Sequence, residues 1–487
     1  MLAYISDHIW QLLLVLNYLL VIFFSIFILL KNKNPVKTLS YLFALATLPF
    51  LGLLVYYFFG QDYRKYKIFE KKYLVDDAKL KQWRAKFKLD SEEKEEFVED
   101  FGDGNYKIYK LLRNNEKAVL TFHNKAKELI NGEEKFKALR EDLESAKEHI
   151  HMEYFVLTDD ILGKEIMDTL CEKAKHGVKV RLIYDDVGSK ISSKYKTKLS
   201  DSGVDHHPFM PVIFSKFTSQ LNYRDHRKIV VIDGEIGYVG GINIRKKYDN
   251  SFTDNGLFWR DTHLRLEGEA VGALQTSFLL NWNFVSNEEV DTTDLFPKPI
   301  LGTFHNTAVQ IAASGPDTDW ANIMEAMFAA INGASKYIYI TSPYLIPNGQ
   351  ILTSLTTASR SGVDVRVIIP RKSDSWAAQY ATDSYIEQLL DSGVRVYRYS
   401  KGFVHAKTMV IDGLFTSIGT ANLDYRSFSI NFEINALLYD KEMADRMERV
   451  FKTDLEDSQE VEVKRWKERG LKRKLQESFS RLWAPLL

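Results

Sequence analysis

The chain opens with two uninterrupted apolar runs. Ile9 to Leu30 carries no charge and is long enough to span a hydrocarbon core of roughly 30 Å. Leu39 to Phe59 is the second run, with Pro49 and Gly52 inside it, and Lys31, Lys33 and Lys37 fill the short link. This pattern predicts a two-span membrane anchor over residues 1–60. A signal peptide fits poorly, because no basic segment precedes the first run and a second span follows at once. A helical hairpin buried in a soluble core is the lesser alternative. The link is basic, and so is the exit at Arg64, Lys65, Lys67, Lys71 and Lys72, so the positive-inside rule pulls both ways.

Beyond the anchor the pattern changes twice. Residues 61–120 are charged and lack a strong apolar face, and Asp90 to Glu96 reads as a helix start or a solvated linker. From residue 121 short apolar runs alternate with helical spacings, and the order repeats. In the first copy, Ala146 to Phe155 reads as a strand, a helix runs through Ile166, Leu170 and Ala174, and Gly177 to Ile183 is the next strand. Tyr337 to Tyr344 and Gly362 to Ile368 echo those strands, and Asp201-Ser202-Gly203-Val204 is echoed by Asp391-Ser392-Gly393-Val394. Alternating β and α argues for an α/β sandwich built twice, over 121–295 and 296–460, with the join near Pro297 and Pro299. Over 461–487 basic residues interleave with Trp466, Leu471, Leu475, Phe479, Leu482 and Trp483. Such a basic amphipathic helix lies either on an anionic membrane or with its apolar stripe on the body.

One segment of each copy carries chemistry. His226-Arg227-Lys228 runs through Ile229, Val230, Val231 and Ile232 to Asp233, and after six residues comes Gly240-Gly241-Ile242-Asn243. His405-Ala406-Lys407 runs through Thr408 to Ile411 to Asp412, and after six residues comes Gly419-Thr420-Ala421-Asn422. Both obey H-x-K-x4-D-x6-G-[GT]-x-N. The β-branched residues place each motif on a buried strand, where residues i and i+2 share a face, so His and Lys of one motif point together. Two copies face to face make a pocket of two imidazoles, two ammoniums and two amides, which suits a phosphodiester. One His can attack phosphorus and the other can shuttle the proton, while Lys228, Lys407, Asn243 and Asn422 steady the phosphoryl oxygens. The candidate catalytic set is therefore His226, Lys228 and Asp233 with His405, Lys407 and Asp412. Asp261 and Glu433, at similar distances after their motifs, are the candidate acids that orient the histidines.

Composition trims the alternatives. Lysine plus arginine and aspartate plus glutamate both number 65, a neutral balance that does not favour a nucleic-acid partner. Cys171 is the single cysteine, so no disulfide forms within the chain, and a reducing compartment fits. H-x-K spacing with no further ligand nearby is a poor zinc site, so no metal is expected. Asp185-Asp186-Val187-Gly188-Ser189 reads as a turn, and His206-His207 as surface.

The double motif resembles the signature of the phospholipase D superfamily, and the whole length is similar to bacterial cardiolipin synthases. The likeness extends over Leu48 to Gly52, Asn222 to Lys228, Trp259 to Thr262, Ala313 to Asp317, Gly419 to Phe428, Asn431 to Glu433 and Pro485-Leu486-Leu487. It implies two pseudo-symmetric phospholipase D-like α-β-α sandwich halves behind the anchor. It implies a phosphatidyltransferase that joins two phosphatidylglycerols into cardiolipin, releases glycerol, and passes through a phosphohistidine. No cofactor is implied, and the partners are phosphatidylglycerol and membrane lipids; no oligomeric state follows. The location implied is the bacterial cell membrane, multi-pass, with the catalytic region in the cytoplasm. By the same resemblance Asp233 and Asp412 brace their motifs and His226 is the nucleophile; the sequence adds Arg224 and Arg227, which flank that His and would draw the anion to its side. A hydrolytic phospholipase D or a phosphatidylserine synthase-like enzyme would use the same pocket. A membrane-anchored nuclease would need a basic groove, and an inactive scaffold would normally have lost a motif residue.

Overall fold

Both faces of the central strands are buried, which is why their sequences are continuous Val and Ile runs. Within residues 228–232, Val230 and Ile232 join a core with Leu162, Ile166 and Leu182. Ile229 and Val231 join another with Leu264, Val410 and Ile434. The structure is a computed structural model. It describes residues 2–30, 35–48, 50–53, 83–85, 87, 91–116, 118–210, 223–252, 256–288, 290–292, 295–296 and 307–484.

The chain divides into two compact units, Met1–Leu74 and Val75–Leu487. The first holds helices α1 (Leu2–Leu30) and α2 (Pro35–Thr47). Within α1, Ile9–Leu30 is by length and composition enough to cross a membrane. The second expected span is not one continuous helix in its described part: α2 stops after 13 residues, and Phe50 takes a positive φ of 60°. Pro49 in the sequence opposes a helical residue before it. Buried Asn17 of α1 accepts the Phe50 amide at 2.9 Å and caps the break. The remainder of that expected span, residues 54–59, lies outside the described residues.

The second unit begins with α3 (Ser91–Glu116) and β1 (Leu120–Thr121). Its first half runs β2 (Asn124–Ile130), α4 (Asn131–Ser145), β3 (His149–Tyr154), α5 (Ile161–Lys175), β4 (Lys179–Asp185), α6 (Ser193–Asp201) and β5 (Asp205–Phe209). It continues β6 (Lys228–Ile232), β7 (Ile236–Gly240), β8 (Phe258–Arg260), β9 (Thr262–Gly268) and α7 (Ala270–Ser286). The second half runs β10 (Ala308–Ser314), α8 (Asn322–Gly333), β11 (Tyr337–Thr341), β12 (Leu345–Ile346), α9 (Gly349–Arg360), β13 (Asp364–Pro370) and α10 (Trp376–Asp391). It continues β14 (Arg395–Tyr399), β15 (Gly402–Val404), β16 (Thr408–Ile411), β17 (Phe415–Gly419), β18 (Leu423–Asp424), β19 (Glu433–Tyr439), α11 (Lys441–Glu456) and β20 (Ser458–Glu460). Helix α12 (Leu471–Leu482) ends it.

The first sheet has the order β2-β9-β7-β6-β3-β4-β5. The second contains β10-β19-β17-β16-β11-β13-β14, with β1 and β20 added at its edges. Strand for strand the two orders match, as the repeat requires. In each, three parallel strands adjoin the antiparallel hairpin that carries the motif. Helices lie on both faces of the sheets: α4 and α5 pack on the outer face of the first and α8 to α10 on that of the second, while Val271 and Leu274 of α7 and Met443 and Met447 of α11 pack on the inner side. The inner faces share one core, in which Val231, Val239 and Leu266 meet Val309, Ile418 and Leu438.

Two expectations need correction. The stretch read as a charged linker carries α3, whose Phe97, Ile108, Tyr109 and Leu112 are buried in the second half's core with Ala326 and Ile331. Its apolar positions recur at helical spacing but are diluted by acids, so the face is narrow. Nor do the motif histidines lie within their strands. The ladders begin at Lys228 and Thr408, so each His sits at the strand entrance.

At the far end of each motif strand stands Asp-Gly. Asp233 and Asp412 take φ of 53° and 54°, and Gly234 and Gly413 take 67° and 70°. Successive left-handed residues make the tight hairpin turns, and Asp tolerates that region better than most side chains. The Asp233 carboxylate accepts the amides of Lys147, Glu148 and His149, each at 2.8 Å. Asp412 accepts those of Ser335, Lys336 and Tyr337 at 2.7–2.9 Å, and the Ser335 hydroxyl. Each pins the hairpin to the neighbouring strand. Five residues from Lys228 along a strand is about 16 Å, so Asp233 works at a distance from the pocket.

Replacing Asp412 by Ala removes these acceptors and puts a β-carbon without a polar group in a left-handed turn. We expect a loss of about 1–3 kcal/mol, seen as a lower thermal unfolding midpoint, and a smaller loss for Asp412→Asn. Turnover per folded molecule should stay close to that of the parent.

Candidate active site

The two histidines are held from across the molecule. His226 Nδ1 donates to Glu433 Oε2 at 2.9 Å, and His405 Nδ1 donates to Asp261 Oδ2 at 2.7 Å. Each imidazole of one half is thus oriented by the acid of the other. The backbone explains why. Asp225 bridges to Phe432, the His226 amide donates to the Phe432 carbonyl, and Glu433 is the next residue. On the other side β15 pairs in parallel with β8, and the His405 amide donates to the Arg260 carbonyl, one residue before Asp261. The strand ends that carry the histidines are zipped to the strand ends that carry the acids.

A carboxylate only accepts, so Nδ1 of each ring carries the proton and Nε2 of the neutral ring carries the lone pair. Neither Nε2 has a hydrogen-bond partner among the described residues, and both rings reach the surface through a small opening, at 8 % exposure. Burial and the nearby lysines outweigh the acids and lower the His226 pKa to about 4 and the His405 pKa to about 3. Burial also opposes ionisation of Asp261 and Glu433, but their histidines and lysines outweigh it and hold both below the usual carboxylate range.

Lys228 and Lys407 sit beside them. Each Nζ donates to the carbonyl of its own motif histidine. Burial lowers Lys228 to about 7 and Lys407 to about 8, although the two acids pull the other way. Each lysine is coupled to the carboxylates of both halves, and Lys228 also to Lys407, so the two motifs form one pocket. Buried cations with too little negative charge make an anion site.

The two asparagines differ. Asn243 is engaged on both sides of its amide: its Oδ1 accepts the Val156 amide at 3.1 Å, and its Nδ2 donates to the Tyr248 hydroxyl at 3.0 Å. These bonds tie it to the loop that carries Tyr248 and leave one hydrogen of its amide without a partner among the described residues. The side chain of Asn422 makes no hydrogen bond among the described residues, so its amide remains available. Arg224 pairs with Asp185, and Arg227 Nε donates to the Glu433 carbonyl. Both make structural contacts, though a carbonyl partner does not neutralise the Arg227 guanidinium. Asp185 accepts the amides of Val187, Gly188 and Asp225, as turn chemistry predicts.

Several residues escaped the sequence reading. Phe155 packs edge-on against His226, and Tyr248 and Trp259 pack edge-on against His405, giving the rings an apolar frame. Lys247 lies 4.1 Å over Trp259, and burial lowers its pKa to about 8. The Gly-or-Thr position has a role too. A Cβ at Gly241 would stand 2.1 Å from Asp261 Oδ1, so that acid fits only against glycine. At the matching place Thr420 donates its hydroxyl to Glu433 at 2.5 Å. The spacing of Phe155 from the end of β3 was a usable signal; the others come together only through tertiary folding. Among the described residues, no three His, Cys, Asp or Glu side chains cluster as metal ligands.

Comparison with known proteins follows the same lines. The family model "Cardiolipin synthase, PLD-like domain" matches residues 139–282 and 327–455, and "Phospholipase_D-nuclease N-terminal" matches residues 19–61. A relative in Bacillus anthracis, "Cardiolipin synthase 2", is 42 % identical over 461 residues, covering 94 % of this chain and 88 % of its own. The "Cardiolipin synthase" of Listeria monocytogenes is 38 % identical, covering 98 % and 99 %. The crystal structure of phosphatidylserine synthase from Haemophilus influenzae Rd KW20 aligns with a TM-score of 0.61 at 15 % identity. It covers 78 % of this chain and all of that one, a likeness of fold.

Two outcomes are expected of this geometry. Binding a diester anion favours the protonated lysines, so above a pH of about 7 binding takes up a proton. The affinity of a phosphonate analogue, measured by calorimetry, should be flat between pH 6 and 7 and weaken toward pH 9, by up to about tenfold per unit. A pH-independent affinity would show that the lysines stay charged in the empty pocket. Separately, Asp261→Asn presents an amide donor to His405 Nδ1 and favours the wrong tautomer. It should cut turnover by about 10²–10⁴-fold while leaving the fold intact.

Proposed function

The chain belongs to the phospholipase D-like cardiolipin synthase family, and from that premise we propose that it transfers a phosphatidyl group between two phosphatidylglycerols, forming cardiolipin and glycerol. The observation that carries the chemistry is the crossed pair of His–acid contacts, which leaves two Nε2 atoms free in one cationic pocket. His226 Nε2 attacks phosphorus, the bond from phosphorus to the glycerol headgroup oxygen breaks, and His405 delivers its proton to that oxygen. Burial and the lysines depress the imidazoles, and the substrate's own negative charge acts against both, so His405 takes up the proton once the diester is bound. The hydroxyl of a second phosphatidylglycerol then attacks the phosphohistidine and gives its proton to His405. The nitrogen–phosphorus bond breaks, and cardiolipin leaves. Lys228, Lys407 and Asn422 hold the phosphoryl oxygens throughout.

Support for this division of labour is that His405 has the shorter contact and its acid lies beside a bare glycine, while Glu433 shares its charge with Thr420. The aromatic frame limits water at the intermediate, which favours a lipid alcohol as acceptor. The protein is membrane-associated. Two membrane passes and a cytoplasmic catalytic region complete the proposal, in keeping with the single buried thiol of Cys171.

The test is the purified full chain given phosphatidylglycerol as its only lipid, with chelator present, and products read by mass spectrometry. Cardiolipin and glycerol in equal amounts are expected. Phosphatidic acid in their place would assign the protein as a hydrolase, and dependence on one divalent ion would contradict the metal-free mechanism. His226→Ala and His405→Ala should each lower turnover by about 10⁴-fold or more, since nucleophile and acid act as a unit. Enzyme quenched in denaturing detergent, without acid that would cleave the nitrogen–phosphorus bond, and carrying labelled phosphatidyl on the His405 peptide alone would exchange the two roles.

A further inference from the structure

Helix α12 is attached by the side expected to face water. Its buried residues are Glu477 and Ser480, while Leu471, Leu475, Phe479, Leu482 and Trp483 are 50–76 % exposed. A polar seam fixes that orientation. Arg469 Nε donates to Glu477 at 2.8 Å, Arg473 reaches Asp383 of α10 at 2.9 Å, and Arg481 donates to the Ser384 carbonyl and lies over Tyr385. Of the two readings open from the sequence, the apolar stripe packed on the body is excluded.

A stripe of five large apolar side chains left outside needs a cover, and its surroundings name one. Lys464, Arg465 and Lys472 are exposed around it, and the acids between Val463 and Trp483 are Glu468 and the buried Glu477. Apolar side chains ringed by such cations match an anionic lipid surface. The partner helix leads from there to the pocket. On α10, Trp376 lies seven residues before Asp383, two turns along the same face, and is 69 % exposed. Two residues earlier, Asp374 accepts from Tyr344 and acts on Lys407.

We propose that α12, with Trp376 at the start of α10, is a docking surface that lays the catalytic unit on the anionic bilayer and turns the pocket rim toward the lipid. This rests on the lipid-transferase reading for its purpose, and on the exposed stripe and its charges for its existence. Docking would let a two-tailed diester reach the pocket without leaving the membrane.

The test uses the full chain in lipid nanodiscs. An environment-sensitive fluorophore is placed at Leu475→Cys or Phe479→Cys, and the native Cys171 is buried. In discs rich in phosphatidylglycerol the emission should shift to the blue and be quenched by spin-labelled acyl chains. The effect should weaken in purely zwitterionic discs and at high salt. A water-like spectrum in the anionic discs would overturn the proposal. So would a blue shift that grows with protein concentration and escapes the lipid quencher, which would assign the stripe to a second copy of the chain. This readout is independent of any turnover. In addition, the double variant Leu475→Glu, Phe479→Glu should lose about tenfold in turnover of vesicle phosphatidylglycerol, the equivalent of about 1.4 kcal/mol. It should keep parental turnover of a short-chain phosphatidylglycerol dissolved as monomer. Equal losses on both would also overturn the proposal.

Discussion

The crossed contacts between imidazole and carboxylate, His226 with Glu433 and His405 with Asp261, are the constraint on which the rest of the structure depends. A buried carboxylate is costly unless it is paired, and a buried histidine has no fixed orientation unless one nitrogen is engaged. Each half carries one member of both pairs, so neither half satisfies its own groups. The parallel pairing of β8 with β15, the bridge from Asp225 to Phe432 and the apolar core between the two sheets follow from that need. They hold the strand entrances together at hydrogen-bond distance.

Stability and function pull against each other at this place. Two lysines and two histidines share a buried space with two carboxylates, and burial holds all four basic groups well below their ordinary pKa values. Such an arrangement is poor as a core and good as a receptor, because a diester anion relieves the repulsion that the fold maintains. The surrounding structure absorbs the cost. Asp233 and Asp412 tie the motif hairpins to their neighbours, and aromatic rings close around the imidazoles.

Much of this was legible in the sequence, and the limits have physical causes. The distance from Lys to Asp-Gly in each motif is the length of one strand ending in a left-handed turn, so spacing alone reported a hairpin twice. Short continuous apolar runs reported the sheets, and repetition reported the two halves. What could not be read was partnership across the pseudo-twofold. Asp261 and Glu433 follow their motifs at similar distances, and chain proximity says nothing about which histidine each will meet. The engagement of Asn243 by Tyr248 is of the same kind, since five residues apart on an irregular loop is not a recognisable spacing. The start of helix α3 at Ser91 was legible, but its burial was hidden for another reason. Its apolar face is narrow and interrupted at Gly102, where the backbone leaves the helical region. The orientation of α12 reverses the usual rule because ion pairs, rather than its leucines, fix it to α10.

The matched strand orders and the exchanged acids have an ancestral consequence. A single half, paired with a twin of itself about a twofold axis, would set each acid against its twin's histidine and need no other partner. Such a homodimer must be the same on both sides, because one gene writes both. Once the two copies lie on one polypeptide, selection can alter them separately. The present chain carries the marks: aspartate against bare Gly241 on one side, glutamate shared with Thr420 on the other. Gene fusion thereby turns a symmetric pocket, obliged to treat both histidines alike, into one whose two ends are free to specialise.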